Sequence, residues 1–232
     1  MEIIYEDENL LAIDKPPGIV VFPEGPVAGK TLIDYISENY PELKNVGNPP
    51  RYGIVHRLDK DTSGILLTAK NNKALEFLQK QFKERKAEKK YLALMVGNLK
   101  NKEGTIETLI GRASKDKRKQ KVFLAGEPGA EGKRKAETRY KMLQRFENYD
   151  LIEVEPKTGR KHQIRTHFAW LGHPIACDKL YGFKNQPCPK ELKRQFLHAS
   201  RLKIEMLDGK IKEFESDLPE DLKNVLEILN AK

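Results

Sequence analysis

The residues best suited to chemistry are His56-Arg57-Leu58-Asp59-Lys60-Asp61-Thr62-Ser63-Gly64. They form a charged loop between an apolar run, Ile54-Val55, and a longer one that starts at Ile65 and ends at Lys70. A carboxylate held at the mouth of a loop between two strands suits covalent or acid–base work. Two further segments supply partners for Asp59. Tyr91 opens an apolar run over 91–96, which puts a ring with a polar tip at a strand edge. Residues 158–167 open a helix dense in hydrogen-bond donors, from which Arg160 and Arg165 could reach an anion. An Asp beside an Arg stays ionised and held in place, as a nucleophile requires. Taken singly, Tyr91 reads as an ordinary strand aromatic and Arg165 as a surface ion pair.

Other chemistries fail on spacing. Asp59 to Gly64 is similar to the start of a calcium loop, but Lys70 stands where the closing bidentate Glu is required. His162, His167, His173, Cys177, Cys188 and His198 contain no C-x-x-C pair. His162 and His167 are five apart, which offsets them around a helix. No phosphate-cradling glycine motif occurs. The site is therefore expected to use neither metal nor cofactor.

Periodicity defines the elements that must position these residues. Ile3, Ile4 and Tyr5, then Leu10 to Ile13, read as strands around an acidic turn. A rigid turn over Asp14-Lys15-Pro16-Pro17-Gly18 leads into an extended run, Ile19 to Phe22, and then a Pro- and Gly-rich loop to Lys30. Leu32, Ile33, Tyr35 and Ile36 predict a short helix ending before Pro41. Asn71 or Asn72 caps a helix carrying Leu75, Leu78 and Phe82 and running to about Lys86. Residues 105–145 read as hairpins with a long basic connection, followed by a strand over 149–154. Thr158-Gly159 precedes a helix through about Leu171, with Ile164, Phe168 and Leu171 on one face and Gly172 as its stop. A last helix starts near Pro219 and carries Leu222, Val225, Leu226 and Leu229. With no repeat or low-complexity linker, the expectation is one α+β domain over 1–232, built on a large, mostly antiparallel mixed sheet flanked by helices and loops.

The chain has 232 residues and a formal net charge of +9, which favours a polyanionic partner, most simply nucleic acid. The charge is clustered. Arg112, Lys115, Lys117, Arg118, Lys119 and Lys121 face Asp116 alone, and Lys133-Arg134-Lys135 follows. No apolar run reaches the ~18 residues of a membrane span, and the first residues carry no signal-peptide pattern. A cytoplasmic location is expected, with Cys177 and Cys188 as two reduced thiols.

Taken together, the segments resemble the RluA-type pseudouridine synthases. His56-Arg57-Leu58-Asp59 through Ala69-Lys70 resembles the family's catalytic motif, and Lys90-Tyr91-Leu92-Ala93-Leu94-Met95-Val96-Gly97 its tyrosine motif. Gly159-Arg160-Lys161-His162-Gln163-Ile164-Arg165-Thr166-His167 resembles its third motif; Gly172-His173-Pro174-Ile175 and Asp178-Lys179-Leu180-Tyr181-Gly182 follow as expected. The opening, Ile4 to Gly18, is similar to the start of the catalytic domain. His56 places the chain on the RluA side, because the sister RsuA-type group usually has Gly there.

The resemblance implies the pseudouridine synthase fold and isomerisation of specific uridines in rRNA or tRNA, without cofactor. It implies Asp59 as nucleophilic carboxylate, Arg165 as its ion-pair partner, Tyr91 stacked on the target base and Ile164 as an apolar wall. Arg57 is implied to enter the RNA stack when the base leaves. His56, Arg160 and His162 are candidate RNA contacts beside these. The region carrying Lys117, Arg118 and Lys119 is implied to grip RNA. A catalytic pattern that begins at Ile3 leaves no room for an N-terminal S4 domain, so a structured stem-loop would be read by this domain alone. The expected enzyme is a monomer with no DNA or membrane partner. Two other readings are weaker. An RNA-binding module with a degenerate site should have lost Asp59, Tyr91 or Arg165, and a retaining glycosidase needs a second carboxylate, for which only Asp61 is at hand.

Overall fold

Alternating and wholly apolar segments set the strands, and capped amphipathic segments set the helices. The computed structural model describes residues 2–23, 25 and 29–231. In chain order these form β1 (Glu2–Glu6), β2 (Leu10–Lys15), α1 (Leu32–Asn39), a 3-10 turn (Pro41–Asn45), β3 (Ser63–Ala69) and α2 (Asn72–Glu84). β4 (Glu88–Val96), β5 (Glu103–Arg112), β6 (Gln120–Phe123), β7 (Arg134–Arg145) and β8 (Tyr149–Pro156) follow. The chain closes with α3 (Gln163–Trp170), β9 (Leu197–Glu205), β10 (Ile211–Glu215) and α4 (Glu220–Asn230). The fold class is α+β, as expected. The backbone divides into two compact units, Met1–Glu88 with Ala199–Asp217, and Lys89–His198 with Leu218–Lys232.

In the first unit β1, β2 and β3 form an antiparallel meander. β2 pairs β3 from Leu10↔Ala69 to Lys15↔Gly64. Every residue of β3 is buried, which explains its nearly unbroken apolar sequence. β9 lies beside β3 and carries β10 on it. The Asn71 side chain accepts the Ala74 N–H at 2.9 Å and starts α2. The Gln81 amide exchanges both of its hydrogen bonds with the Glu205 backbone, fixing α2 against β9. Gly64 is the tightest point. Its φ is +109°, and a β-carbon there would overlap the carbonyl oxygen of Ala199.

Two expectations change in this unit. Ile19 to Phe22 is not a strand; the carbonyls of Val20 and Val21 instead accept the N–H groups of Leu32 and Ile33 at the start of α1. The run Ile54-Val55 shrinks to one bridge, Ile54 with Thr68. Of the loop running to Lys30, residues 24 and 26–28 lie outside the described residues.

The second unit is an antiparallel sheet in the order β4-β8-β7-β5-β6. Leu94, Met95, Ile152, Val154, Phe168 and Phe196 form the centre of its core. α4 adds Leu222 and Val225 to that core, and the Arg194–Asp221 fork holds its first turn. α3 begins at Gln163 rather than near Thr158, because His162 takes a left-handed φ of 53° and cannot sit inside a helix. Leu171 is 37% exposed, so it leaves the face expected of it. Residues 163–168 are all buried, so α3 is covered all round and no single apolar stripe was there to read.

Cys177 and Cys188 are joined as a disulfide, with Cα atoms 5.1 Å apart, which corrects the expectation of two thiols. Compartment statistics carried that expectation; they say nothing of a chain that turns at Cys177, with φ 60°, and returns eleven residues later. No helix among the described residues is long and apolar enough to cross a membrane.

Gly64→Ala is expected to lower unfolding stability by at least ~2 kcal/mol, because backbone, not a movable side chain, occupies the space. Chemical denaturation of wild type and variant measures it; a loss under ~0.5 kcal/mol would mean that β9 yields without cost.

Candidate active site

Asp59 sits half-buried in the loop that leads from Ile54 into β3. Its own carbonyl accepts the Thr62 N–H at 3.1 Å, closing a turn. The next carbonyl, that of Lys60, is pinned twice: it accepts from Gly18 N–H at 2.9 Å and from Lys15 Nζ at 3.0 Å. Lys15 is fully buried, and its ammonium also donates to Pro16 O at 2.8 Å and Ile19 O at 3.0 Å. A buried ammonium needs such acceptors. Here they tie the turn after β2 to the Asp59 loop.

His56 braces the other side of that loop. Its Nε2 accepts the Leu67 N–H at 2.9 Å, and its ring stacks on Phe82 at 4.6 Å. An accepting Nε2 puts the ring proton on Nδ1. The residue holds β3 and α2 together, a task that sequence alone did not indicate. Arg57 lies over the Phe22 ring at 5.1 Å, and Arg51 over the same ring at 4.8 Å.

In the second unit Tyr91 lies on β4 opposite Val154 of β8, half-buried against the core. Lys89 stands two residues earlier, so it shares the strand face of Tyr91. Burial pushes its amine down to about 8, against the pull of Glu155. Arg165 is 7% exposed and forks onto Asp178, Nε to Oδ2 at 2.7 Å and Nη2 to Oδ1 at 2.8 Å. Burial alone would raise the Asp178 carboxyl. The Arg165 bonds and charge, with the Tyr181 and Leu180 N–H groups, outweigh it and hold the pKa below the usual range. Ile164, beside Arg165 on α3, is buried in the core. The guanidinium of Arg165 also lies 5.1 Å from the Tyr181 ring.

The basic connection is a short turn between β5 and β6, closed by Ala113 N–H to Lys119 O at 3.0 Å. Lys117 and Arg118 are exposed and Lys119 is half-buried. Arg118 is engaged within the turn: it forks onto Asp116, Nε at 3.0 Å and Nη2 at 2.9 Å, and this pairing lowers the Asp116 carboxyl to about 2. Lys119 Nζ lies 6.0 Å from the Tyr181 ring. The Tyr181 hydroxyl accepts the Gln120 N–H at 2.7 Å and pairs with His162 Nδ1 at 2.9 Å. Arg160 donates from Nε to Lys135 O at 2.9 Å, and so links the approach to α3 with the second basic cluster.

Sequence reasoning missed the network that seats α3. His167 is fully buried between two threonines, with Nε2 2.9 Å from Thr108 Oγ1 and Nδ1 2.9 Å from Thr138 Oγ1. Gln163 donates to Glu137 O and to Thr138 Oγ1, both at 2.9 Å, and accepts from Thr158 Oγ1 at 2.7 Å and Arg160 N–H at 3.0 Å. The signal was the density of polar residues in 158–167, which the sequence reading takes as donors able to reach an anion.

Burial pushes His167 down to about 4 from an ordinary 6.5. Between those values the unfolded chain binds a proton that the folded chain does not, so stability falls as pH falls. Wild type is expected to lose roughly 2–3 kcal/mol from this group between pH 7 and pH 4. Urea titrations across that range should show His167→Gln losing less by that amount; equal acid losses would place the proton elsewhere.

The sequence model of the RNA pseudouridylate synthase family matches residues 9–170. An uncharacterized RNA pseudouridine synthase of Aquifex aeolicus is 43% identical over 194 residues, 83% of this chain and 59% of that protein. Ribosomal large subunit pseudouridine synthase D of Pseudomonas aeruginosa is 37% identical over 240 residues, 99% of this chain and 72% of that protein. The chain spans about three fifths to three quarters of the length of the curated relatives it matches. Among solved structures, human RNA Pseudouridylate Synthase Domain Containing 1 superposes with a TM-score of 0.74 at 26% identity, over 100% of this chain and 95% of that one. Human RNA Pseudouridylate Synthase Domain Containing 4, at 24% identity and a TM-score of 0.77 over 98% of this chain and 92% of that one, shares the fold. With the family match running through the Asp59 loop, the Tyr91 strand and the Arg165 helix, the chain belongs to the RNA pseudouridylate synthase family.

Proposed function

We propose that this protein converts uridine in RNA to pseudouridine, with Asp59, Tyr91 and Arg165 as its catalytic group. The N1–C1′ bond breaks, the uracil turns, and a C5–C1′ bond forms. C5 loses a proton, N1 gains one, and nothing is oxidised or reduced. The observation that carries the reading is the buried Arg165–Asp178 fork in a chain of this family, because a guanidinium clamped on one side is an oriented donor for a carboxylate. In this reading Asp59 attacks, Arg165 is its ion-pair partner, Tyr91 stacks on the base and Ile164 bounds the pocket.

A stacked base is out of reach, so the target uridine must be flipped, which costs a few kcal/mol. Arg57 filling the vacated stack and Tyr91 covering the extruded base offset that cost. Lys117, Arg118 and Lys119, with Arg160 and His162 behind them, hold the phosphates. The RNA is a stem-loop of rRNA or tRNA. Relatives named for the large ribosomal subunit favour rRNA. The protein acts as a monomer in the cytoplasm and uses neither DNA nor membrane.

Asp59→Asn is expected to lower isomerisation by at least ~1000-fold while RNA affinity stays within about threefold. Tritium release from 5-tritiated uridine in RNA reads the first and filter binding the second; substantial turnover by the variant removes Asp59 from its role. Mapping pseudouridine in total RNA with and without the gene, by a base-specific chemical label, names the target. Replacing Lys117, Arg118 and Lys119 with Gln should flatten the salt dependence of RNA binding by about two contacts rather than three, because Arg118 already serves Asp116. An unchanged slope takes the hairpin out of the interface.

A further inference from the structure

We infer that Tyr181 is a positioning residue that couples the grip of the β5–β6 hairpin on RNA to the setting of Arg165. The inference rests on the isomerase reading for the importance of Arg165; the geometry that carries it is independent of that reading. Four groups meet on this one side chain. Its hydroxyl accepts the Gln120 N–H at 2.7 Å and pairs with His162 Nδ1 at 2.9 Å. Its ring centroid lies 5.1 Å from the Arg165 guanidinium and 6.0 Å from Lys119 Nζ. Its own N–H donates at 3.0 Å to Asp178 Oδ1, an oxygen that also takes Arg165 Nη2.

The chain order gives these contacts a direction. Gln120 is the first residue of β6 and follows Lys117-Arg118-Lys119 directly. β6 pairs with β5 through only four residues, Leu109↔Phe123 to Arg112↔Gln120. The turn is closed on itself by Ala113 N–H to Lys119 O, and what anchors its base to the rest of the unit is the Tyr181 hydroxyl. An N–H donating into that oxygen leaves the phenolic proton for His162 Nδ1, so both bonds are made together. His162 is the left-handed residue from which α3 starts, two positions before Ile164 and three before Arg165.

Electrostatics adds a second link. Arg165 and Lys119 are both drawn to one ring and repel each other. A phosphate bound at Lys119 answers one of those charges, which leaves the ring and Asp178 to hold the other. RNA seated on the hairpin thus favours one setting of Arg165. Phenylalanine at this position would keep the ring and lose the anchor; leucine would lose both.

The test is a double-mutant cycle on in-vitro-transcribed large-subunit rRNA, with affinity read by filter binding and turnover by tritium release. Tyr181→Phe is expected to weaken affinity and raise KM by about 10-fold, and to lower kcat by a smaller factor. In a Lys117→Gln, Lys119→Gln background the same change should cost less than about twofold in affinity, because the anchored residues are no longer gripping. Tyr181→Leu should lower kcat by about a further 10-fold. A purely structural role would reduce the active fraction, and so kcat, equally in both backgrounds and leave KM alone. Amide exchange at 113–121 should quicken in Tyr181→Phe while its denaturation midpoint holds. Additive affinity losses, or an unmoved KM, overturn the coupling. If wild type binds the rRNA but makes no pseudouridine, the isomerase reading fails on that RNA, while the affinity cycle still decides the anchor.

Discussion

A guanidinium taken out of water has to be answered by a fixed anion, and the second unit is organised around that demand. Arg165 and Asp178 are both almost wholly buried, and their fork makes two charge-assisted bonds. The carboxylate is further satisfied by two backbone N–H groups, so neither charge is stranded. Breaking such a pair on one side would leave the other charge buried alone. The helix that carries Arg165 is held to the same standard. Gln163 and His167 find acceptors or donors on β5, β7 and the turn before the helix. A helix covered on every side over residues 163–168 cannot slide without losing several of these bonds at once. Its orientation is thus fixed by hydrogen-bond geometry more than by an apolar stripe.

The first unit solves the matching problem with a cation and main-chain oxygens. Lys15 is buried with three carbonyl acceptors, one of which belongs to Lys60, the residue after Asp59. The Lys60 carbonyl, next to Asp59, is therefore pinned, while His56 braces the loop against β3 and Phe82. Gly64 ends this arrangement where its backbone meets that of Ala199. In each unit the residue assigned to chemistry is held by a buried polar group whose hydrogen bonds pass to neighbouring elements. Such groups specify position and stabilise little beyond it, since burial of a charge offsets much of the attraction gained.

This division explains what could be read in advance. β3, α2 and α4 follow from apolar runs, an Asn cap and a leucine stripe, all local signals. The basic hairpin was legible from its charge, but as a long connection; the structure closes it as a short turn between β5 and β6. α3 was placed too early, and Leu171 was given to the wrong face, because its burial depends on partners from β5 and β7 that are distant in sequence. Lys15 read as part of a turn, and Asp178 and Tyr181 as the tail of a motif, since nothing within a few residues reveals a three-acceptor cage or a fork. Ile19 to Phe22 has strand composition, yet its carbonyls are taken by α1. The disulfide required knowing that the chain returns on itself after Cys177. Local order was legible; the side chains that connect elements were not.

The cations show a common device. Arg51 and Arg57 share the Phe22 ring, Lys121 and Lys133 share Phe123, and Lys119 and Arg165 share Tyr181. Each ring attracts both of its cations, which is worth about 0.5–1 kcal/mol apiece at exposed sites. Each pair also repels itself, at close range in a medium that screens poorly near the protein. The rings thus assemble like charges that would otherwise spread apart; of these cations, Arg165 is also answered by Asp178. A phosphate arriving at such a pair gains both attractions and relieves the repulsion, at little cost in side-chain entropy because the cations are already placed. Arg118 is the contrast. Its fork to Asp116 is already satisfied, so a phosphate there must compete with a carboxylate. Charge count alone therefore overstates what the hairpin offers to an anion, because Arg118 is already answered within the turn.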